Sequence, residues 1–321
     1  MQPLKFTRVL KEKVWGGREF EAFFHIPLEP GKQFGESWEL SAHPHGVSVV
    51  ADGPWEGKTL PELLAAEGPR LVGRTVWEHY GERFPLLIKY LDIHDKLSIQ
   101  VHPDDAYGLA HGGEWGKSEC WLVLQASPDA RLILGTAAGV TPDEFAAAAR
   151  AGRWDGLFRE VPVAANDFVH IRPGTVHASV SGSLLLCEIQ QNSDTTYRLY
   201  DFDRLENGRR RELHVEQALE VIRFDEPIIR RARTRRRFKA DGAVIEPLVV
   251  DPHYTVDRVE ITGRYHPKAV DKFLVWSVLE GAGQLTHEGT RREIRAGDTW
   301  LQPAKTAVIW SGPLTLLRST V

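Results

Sequence analysis

Lys117-Ser118-Glu119-Cys120-Trp121-Leu122-Val123-Leu124 returns 155 residues later as Lys272-Phe273-Leu274-Val275-Trp276-Ser277-Val278-Leu279, with Lys, Trp, Val and Leu in register. A second pair follows in the same order. Asp167 to Gly182 reads DFVHIRPGTVHASVSG, and Asp298 to Gly312 reads DTWLQPAKTAVIWSG. Aligned at Pro173 and Pro303, both reach Ser-Gly after the same interval; one residue is deleted before Pro303. An aspartate, a strand, a proline-centred turn and a second strand, met twice, predict two β-barrels or sandwiches of related design. The copies are not equivalent. Glu119 gives way to Leu274 and His177 to Ala307, so the first copy has polar ligands where the second has apolar filler.

Outward from the repeat, glycine and proline punctuate short runs rich in Val, Ile, Leu and Trp, the pattern of a mainly β chain with many turns. Three stretches have helical spacing instead: about 60–79, 141–151 and 214–224. The second opens on Thr141-Pro142-Asp143-Glu144, which joins an N-cap, a proline at the first helical position and a capping-box glutamate. At 321 residues there is room for two cores. We place a metal-bearing domain at 1–235 and a C-terminal domain without ligands at 236–321.

Charge and composition exclude several roles. A net charge of −4 argues against general nucleic-acid binding, which needs a basic face. The run RRARTRRR from Arg230 to Arg237 reads as a solvated linker between the two units. No apolar run is long enough for a membrane span, and the N-terminus lacks the pattern of a signal peptide. With only Cys120 and Cys187, no disulfide framework is expected, and a reducing cytoplasm is the default location. Both cysteines adjoin a glutamate, so strand alternation turns them away from the face that Glu119 and Glu188 use.

In Leu97-Ser98-Ile99-Gln100-Val101-His102 apolar and polar residues alternate, so Gln100 and His102 project from one face of a strand. Glu119 begins the next apolar run, and His177 follows the Pro173-Gly174 turn. Two imidazoles, a carboxylate and an amide oxygen suit zinc with a coordination position left open. His43 and His45 are assigned to a turn near the site.

At these residues the chain resembles the type I mannose-6-phosphate isomerases. The likeness runs through Trp15-Gly16-Gly17, Glu36-Ser-Trp-Glu-Leu-Ser41, Phe84 to Lys89, Gln100-Val-His-Pro-Asp-Asp105, Gly116-Lys-Ser-Glu119, Pro173-Gly-Thr-Val-His-Ala178 and Glu188 to Arg198. The resemblance implies two cupin-type barrels (jelly rolls), the second degenerate, with a small helical insertion as in the short bacterial members. It implies one Zn2+ per chain on Gln100, His102, Glu119 and His177. It places an active-site arginine at Arg198 and further active-site candidates at Lys89, Lys117 and Glu188.

The activity so implied interconverts mannose-6-phosphate and fructose-6-phosphate through an enediol, with a sugar phosphate as the small-molecule partner. A phosphate dianion favours Arg or Lys at the mouth of the barrel, and Arg198, Lys117 and Lys89 are the candidates. For the proton carrier a lysine, Glu188, a metal-bound water and Asp105 all stand. Two other roles fit the residues: an Fe(II) dioxygenase, whose facial triad also uses two histidines and a carboxylate, and a sugar-phosphate sensor that keeps the metal without turnover.

Overall fold

The structure, a computed structural model, describes residues 1–206, 208–224, 229–231 and 236–321. The repeat reappears in its hydrogen bonds. In the first half the strand Glu119–Ala126 lies between Phe168–Ile171 and Leu184–Gln191, with Glu119 opposite Ile171 and Leu122 opposite Phe168. In the second half Leu274–His287 lies between Thr299–Gln302 and Leu314–Thr320, with Leu274 opposite Gln302 and Ser277 opposite Thr299. Asp167 and Asp298 close equivalent turns by accepting the N–H of Ala164 and of Arg295, each at 3.1 Å. Val123 and Val278 then donate to the carbonyls of those two aspartates at 3.0 and 2.8 Å.

The chain is mainly β, as expected, but its sheets stay open rather than closing into barrels. In the first half a seven-stranded antiparallel sheet runs from Ile229–Arg231 at one edge to Val9–Gly17 at the other. A five-stranded sheet of Tyr197–Tyr200, Ile99–Val101, His177–Ser181, Arg131–Thr136 and Phe158–Pro162 stands across from it. Leu91, Trp121 and Val123 from the larger sheet pack on Leu132 and Leu134 from the smaller, the alternation of an inner sandwich face.

The other face of the larger sheet packs on helices and on the second half. There Tyr90, Cys120 and Cys187 share one core with Phe24, Leu63, Phe273 and Val275. Both cysteines are buried on that side, turned away from Glu119 and Glu188. The halves are also joined by strands: Leu4–Thr7 pairs with Thr299–Gln302 at Leu301 and Trp300, and with Val49–Val50 on its other edge. Residue 235 of the proposed 235/236 boundary and residues 232–235 of the arginine run lie outside those described; Arg230 and Arg231, expected in a solvated linker, belong instead to the edge strand paired with Phe168–Ile171, and Arg237 is ion-paired to Glu260.

The helix expected at 60–79 is three short ones, Leu60–Glu67, Pro69–Val72 and Arg74–Tyr80. Leu60, Leu64, Val72 and Val76, buried at intervals of four or eight, keep a helical spacing through all three, but Gly68 and Gly73 interrupt them at φ 43 and 94. At Gly73 a Cβ would stand 2.3 Å from the Asp271 carbonyl oxygen, so the break also admits the second half closely. The other two expected helices are present as Pro142–Arg150 and Val215–Val221. Glu19–Phe24 and Asp105–His111 are additional; the latter is capped by Asp104, which accepts the Tyr107 N–H at 3.0 Å. Among the described residues no helix is long and apolar enough to cross a membrane.

Thr141 and Glu144 form the reciprocal capping box read from the sequence. Thr141→Ala should lower stability by about 1 kcal/mol, read as a shifted urea midpoint at unchanged slope.

Candidate active site and metal centre

Register builds the site from both sheets of the first half. Across the smaller sheet Arg198 stands opposite Gln100, and Gln100 opposite His177. Across the larger sheet Trp38, Lys89, Glu188 and Trp121 stand in one row. Directly opposed residues of antiparallel strands share a face, so both rows look into the same space. That space is a cavity of about 270 Å³ whose walls include Lys13, Glu36, Lys89, Gln100, Lys117, Glu188 and Arg198.

In contact with Gln100 and Lys117 of that wall, His102, Glu119 and His177, all buried, bring candidate ligand atoms within 4.8 Å of one another. Each histidine is oriented by a backbone carbonyl: His102 Nδ1 lies 2.9 Å from Thr195 O, and His177 Nδ1 lies 2.9 Å from Thr175 O. A carbonyl only accepts, so Nδ1 carries the proton in both rings and Nε2 is left with its lone pair. Those lone pairs face Glu119, at 3.4 Å for His102 and 3.1 Å for His177. Acceptors facing acceptors in a buried site call for a cation between them.

Three further observations fit a metal there. Glu119 Oε1 is buried with no hydrogen-bond partner among the described residues. The Lys117 ammonium lies 2.5 Å from Glu119 Oε2 and 3.0 Å from His102 Nε2, marking where positive charge is wanted. The Gln100 amide nitrogen lies 3.3 Å from His177 Nε2, and a half-turn of that amide presents its oxygen instead. Protonation agrees. Burial, reinforced by Lys117, holds the His102 imidazolium well below its ordinary pKa. Burial works against the Glu119 carboxylate, but the Lys117 ammonium outweighs it and holds its pKa well below the usual range. Neutral imidazole with ionised carboxylate is the form that binds a metal.

Further along the cavity charges alternate. Lys13 pairs with Glu36 at 3.1 Å, Lys89 lies 3.6 Å from Glu188, and Lys117 lies 4.0 Å from Glu188. Burial and the neighbouring Glu119 raise the Glu188 pKa. Its Oε2 accepts the Trp121 indole N–H at 2.9 Å, and its Oε1 is buried with no hydrogen-bond partner among the described residues. Burial opposes the Lys89 ammonium, but Glu188 and Glu36 outweigh it and raise its pKa. Asp105 is engaged elsewhere: its Oδ1 accepts the Gly116 N–H and the Gln191 amide, at 2.8 and 2.9 Å.

Arg198 donates to Ser98 Oγ at 3.3 Å and to the Glu212 carbonyl at 2.9 Å. Among the described residues no carboxylate lies within ion-pair distance of it. Burial and the nearby Arg211 lower its pKa. Arg211, anchored on Asp201 by a 2.8 Å bond from Nε, and His214 line the cavity beside it. The sequence reading missed Arg211, His214, Lys13 and Glu36 as wall residues; Glu36 alone lay within a quoted motif. His43 and His45 do lie in a turn. Both His43 nitrogens are engaged, Nδ1 by the His45 N–H at 3.1 Å and Nε2 by Glu114 at 2.9 Å.

Residues 3–114 match the family described as phosphomannose isomerase type I, catalytic domain. A probable mannose-6-phosphate isomerase of Bacillus subtilis (strain 168) is 40% identical over 304 residues, covering 94% of this chain and 93% of that protein. The mannose-6-phosphate isomerase of Streptococcus mutans is 40% identical over 303 residues, covering 94% and 92%. The crystal structure of a Bacillus subtilis mannose 6-phosphate isomerase superposes with a TM-score of 0.90 at 37% identity, covering 100% of both chains.

Proposed function

The chain belongs to the type I phosphomannose isomerase family, and from that premise we propose that it interconverts mannose-6-phosphate and fructose-6-phosphate with one zinc ion per chain. Gln100, His102, Glu119 and His177 would hold the ion. When bound, zinc supplies Lewis-acid stabilisation for the negative charge that develops on the sugar oxygen. The observation that carries this reading is the pair of carbonyl-oriented imidazoles whose Nε2 lone pairs face one ionised carboxylate.

The reaction moves a proton between C1 and C2 through an enediol. Glu188 is the residue best placed to carry it. Among the described residues its Oε1 has no hydrogen-bond partner, and burial raises its pKa toward the range in which a carboxyl can both take and return a proton. Lys89 and Lys117 stand within 4.0 Å of it and stabilise the carboxylate once the proton has left. The same ammonium groups, both buried, offset enediolate charge. Arg198, with Arg211 and His214 beside it, forms the cationic end that suits the substrate phosphate.

Two histidines and a carboxylate would equally suit Fe(II), but an amide ligand and a cavity rich in lysine and arginine favour the isomerase. Chelation should abolish conversion of mannose-6-phosphate, measured through coupled detection of fructose-6-phosphate, and zinc should restore it. Undiminished turnover by protein shown to be metal-free would defeat the zinc reading. Iron content with oxygen uptake would favour the dioxygenase, and binding without turnover the sensor.

A further inference from the structure

We infer that Glu114 is a positioning residue of the metal centre: its carboxylate gathers residues 193–195 so that the Thr195 carbonyl holds the His102 ring with Nε2 turned inward. The inference rests on the zinc reading given above.

The two histidines are oriented by different means. The carbonyl that orients His177 belongs to Thr175, two residues away in the same turn, so the local chain supplies it. The carbonyl that orients His102 belongs to Thr195, 93 residues distant, and a loop must bring it there. Glu114 secures that loop. Its Oε2 accepts from three consecutive residues: the Ser193 hydroxyl at 3.1 Å, the Asp194 N–H at 3.0 Å and the Thr195 hydroxyl at 2.9 Å. Its Oε1 faces His43 Nε2 at 2.9 Å. The His43 Nδ1 is already accepting the His45 N–H, so Nε2 is the donor and ties the carboxylate to the 43–45 turn.

Burial works against this carboxylate, yet the bonds from His43, Asp194 and Thr195 outweigh it and bring its pKa down to about 2. It therefore stays ionised, and hydrogen bonds to an ionised acceptor are the strong kind. The loop is braced once more by Gln190 Nε2, which donates to Ser193 O at 2.7 Å. Residues 194 and 196 of the same stretch line the cavity, so the clamp also shapes the substrate wall. Without it, His102 loses the acceptor for its Nδ1 proton. The alternative tautomer would place a proton on Nε2, where a ligand lone pair is needed.

The test compares wild type with Glu114→Ala and with the double variant Ser193→Ala/Thr195→Val, which removes two of the three loop donors but keeps Glu114. Zinc affinity is measured by competition with a chromophoric chelator, and the His102 tautomer by 15N–1H correlation in metal-free protein. Glu114→Ala should bind zinc about 10–100-fold more weakly and lose the single Nδ1–H form of His102, as loss of an outer-shell partner implies. The double variant should show a smaller change in the same direction, and it carries the test alone if Glu114→Ala does not fold. Wild-type zinc affinity in a folded variant, or weaker affinity with an unchanged His102 tautomer, would overturn the assignment. If wild type holds His102 in the fixed tautomer, Glu114→Ala releases it, and neither binds zinc, the clamp stands and the zinc reading falls.

Discussion

His177→Ala should lose bound metal and turnover together. His177 is fully buried, and its Nε2 stands 3.1 Å from Glu119 Oε1, so alanine removes a donor that no nearby group can replace. Thr175 O would lose its partner as well. A catalytic zinc commonly has only three protein ligands besides its open position, so loss of one imidazole is severe. We expect substoichiometric metal and a fall in kcat/KM of at least about 10³-fold, roughly 4 kcal/mol of transition-state stabilisation. The chain contains a natural counterpart: the second half has Ala307 where the first has His177, and Leu274 where the first has Glu119. Metal analysis, circular dichroism and the coupled assay on one preparation test this. A folded, metal-free His177→Ala protein with full activity would remove the metal from the mechanism.

Arg198→Ala should separate metal from turnover. The arginine adjoins Gln100 in register, and among the described residues its side chain bonds Ser98 and a backbone carbonyl, so its removal leaves the His102, Glu119 and His177 donors in place. What it removes is a half-buried guanidinium without a carboxylate partner among the described residues, at the edge of a cavity that suits an anion. Hydrogen bonds to charged groups contribute about 1.5–3 kcal/mol, so kcat/KM should fall about 10–100-fold, with zinc content unchanged. Inhibition by inorganic phosphate should weaken in parallel. Metal loss equal to that of His177→Ala would contradict the assignment and make Arg198 a support of the ligand strand.

Much of the centre could be read in the chain because it obeys local rules. Alternation in Leu97–His102 set Gln100 and His102 apart from their apolar neighbours, and comparison of the two copies singled out Glu119 and His177. Both signals need only short windows. The cationic end was harder, because Arg211 and His214 follow a loop whose course depends on the Asp201 anchor and not on any periodicity. Glu114 left no signal for the same reason: its partners are about 80 residues away, at 193–195. The continuous helix expected at 60–79 failed because apolar spacing survives across Gly68 and Gly73, while the backbone at those glycines does not stay helical.

The pairing of Leu4–Thr7 with Thr299–Gln302 has a consequence for how such a chain can change over evolutionary time. Although the second copy has Leu274 and Ala307 where the first has Glu119 and His177, the opening strand of the polypeptide completes its ladder there. Deleting the second copy would strand that edge, uncover the core around Phe273 and Val275, and expose it to aggregation. Retention of the second copy thus follows from architecture, and heating should melt both copies in one cooperative step.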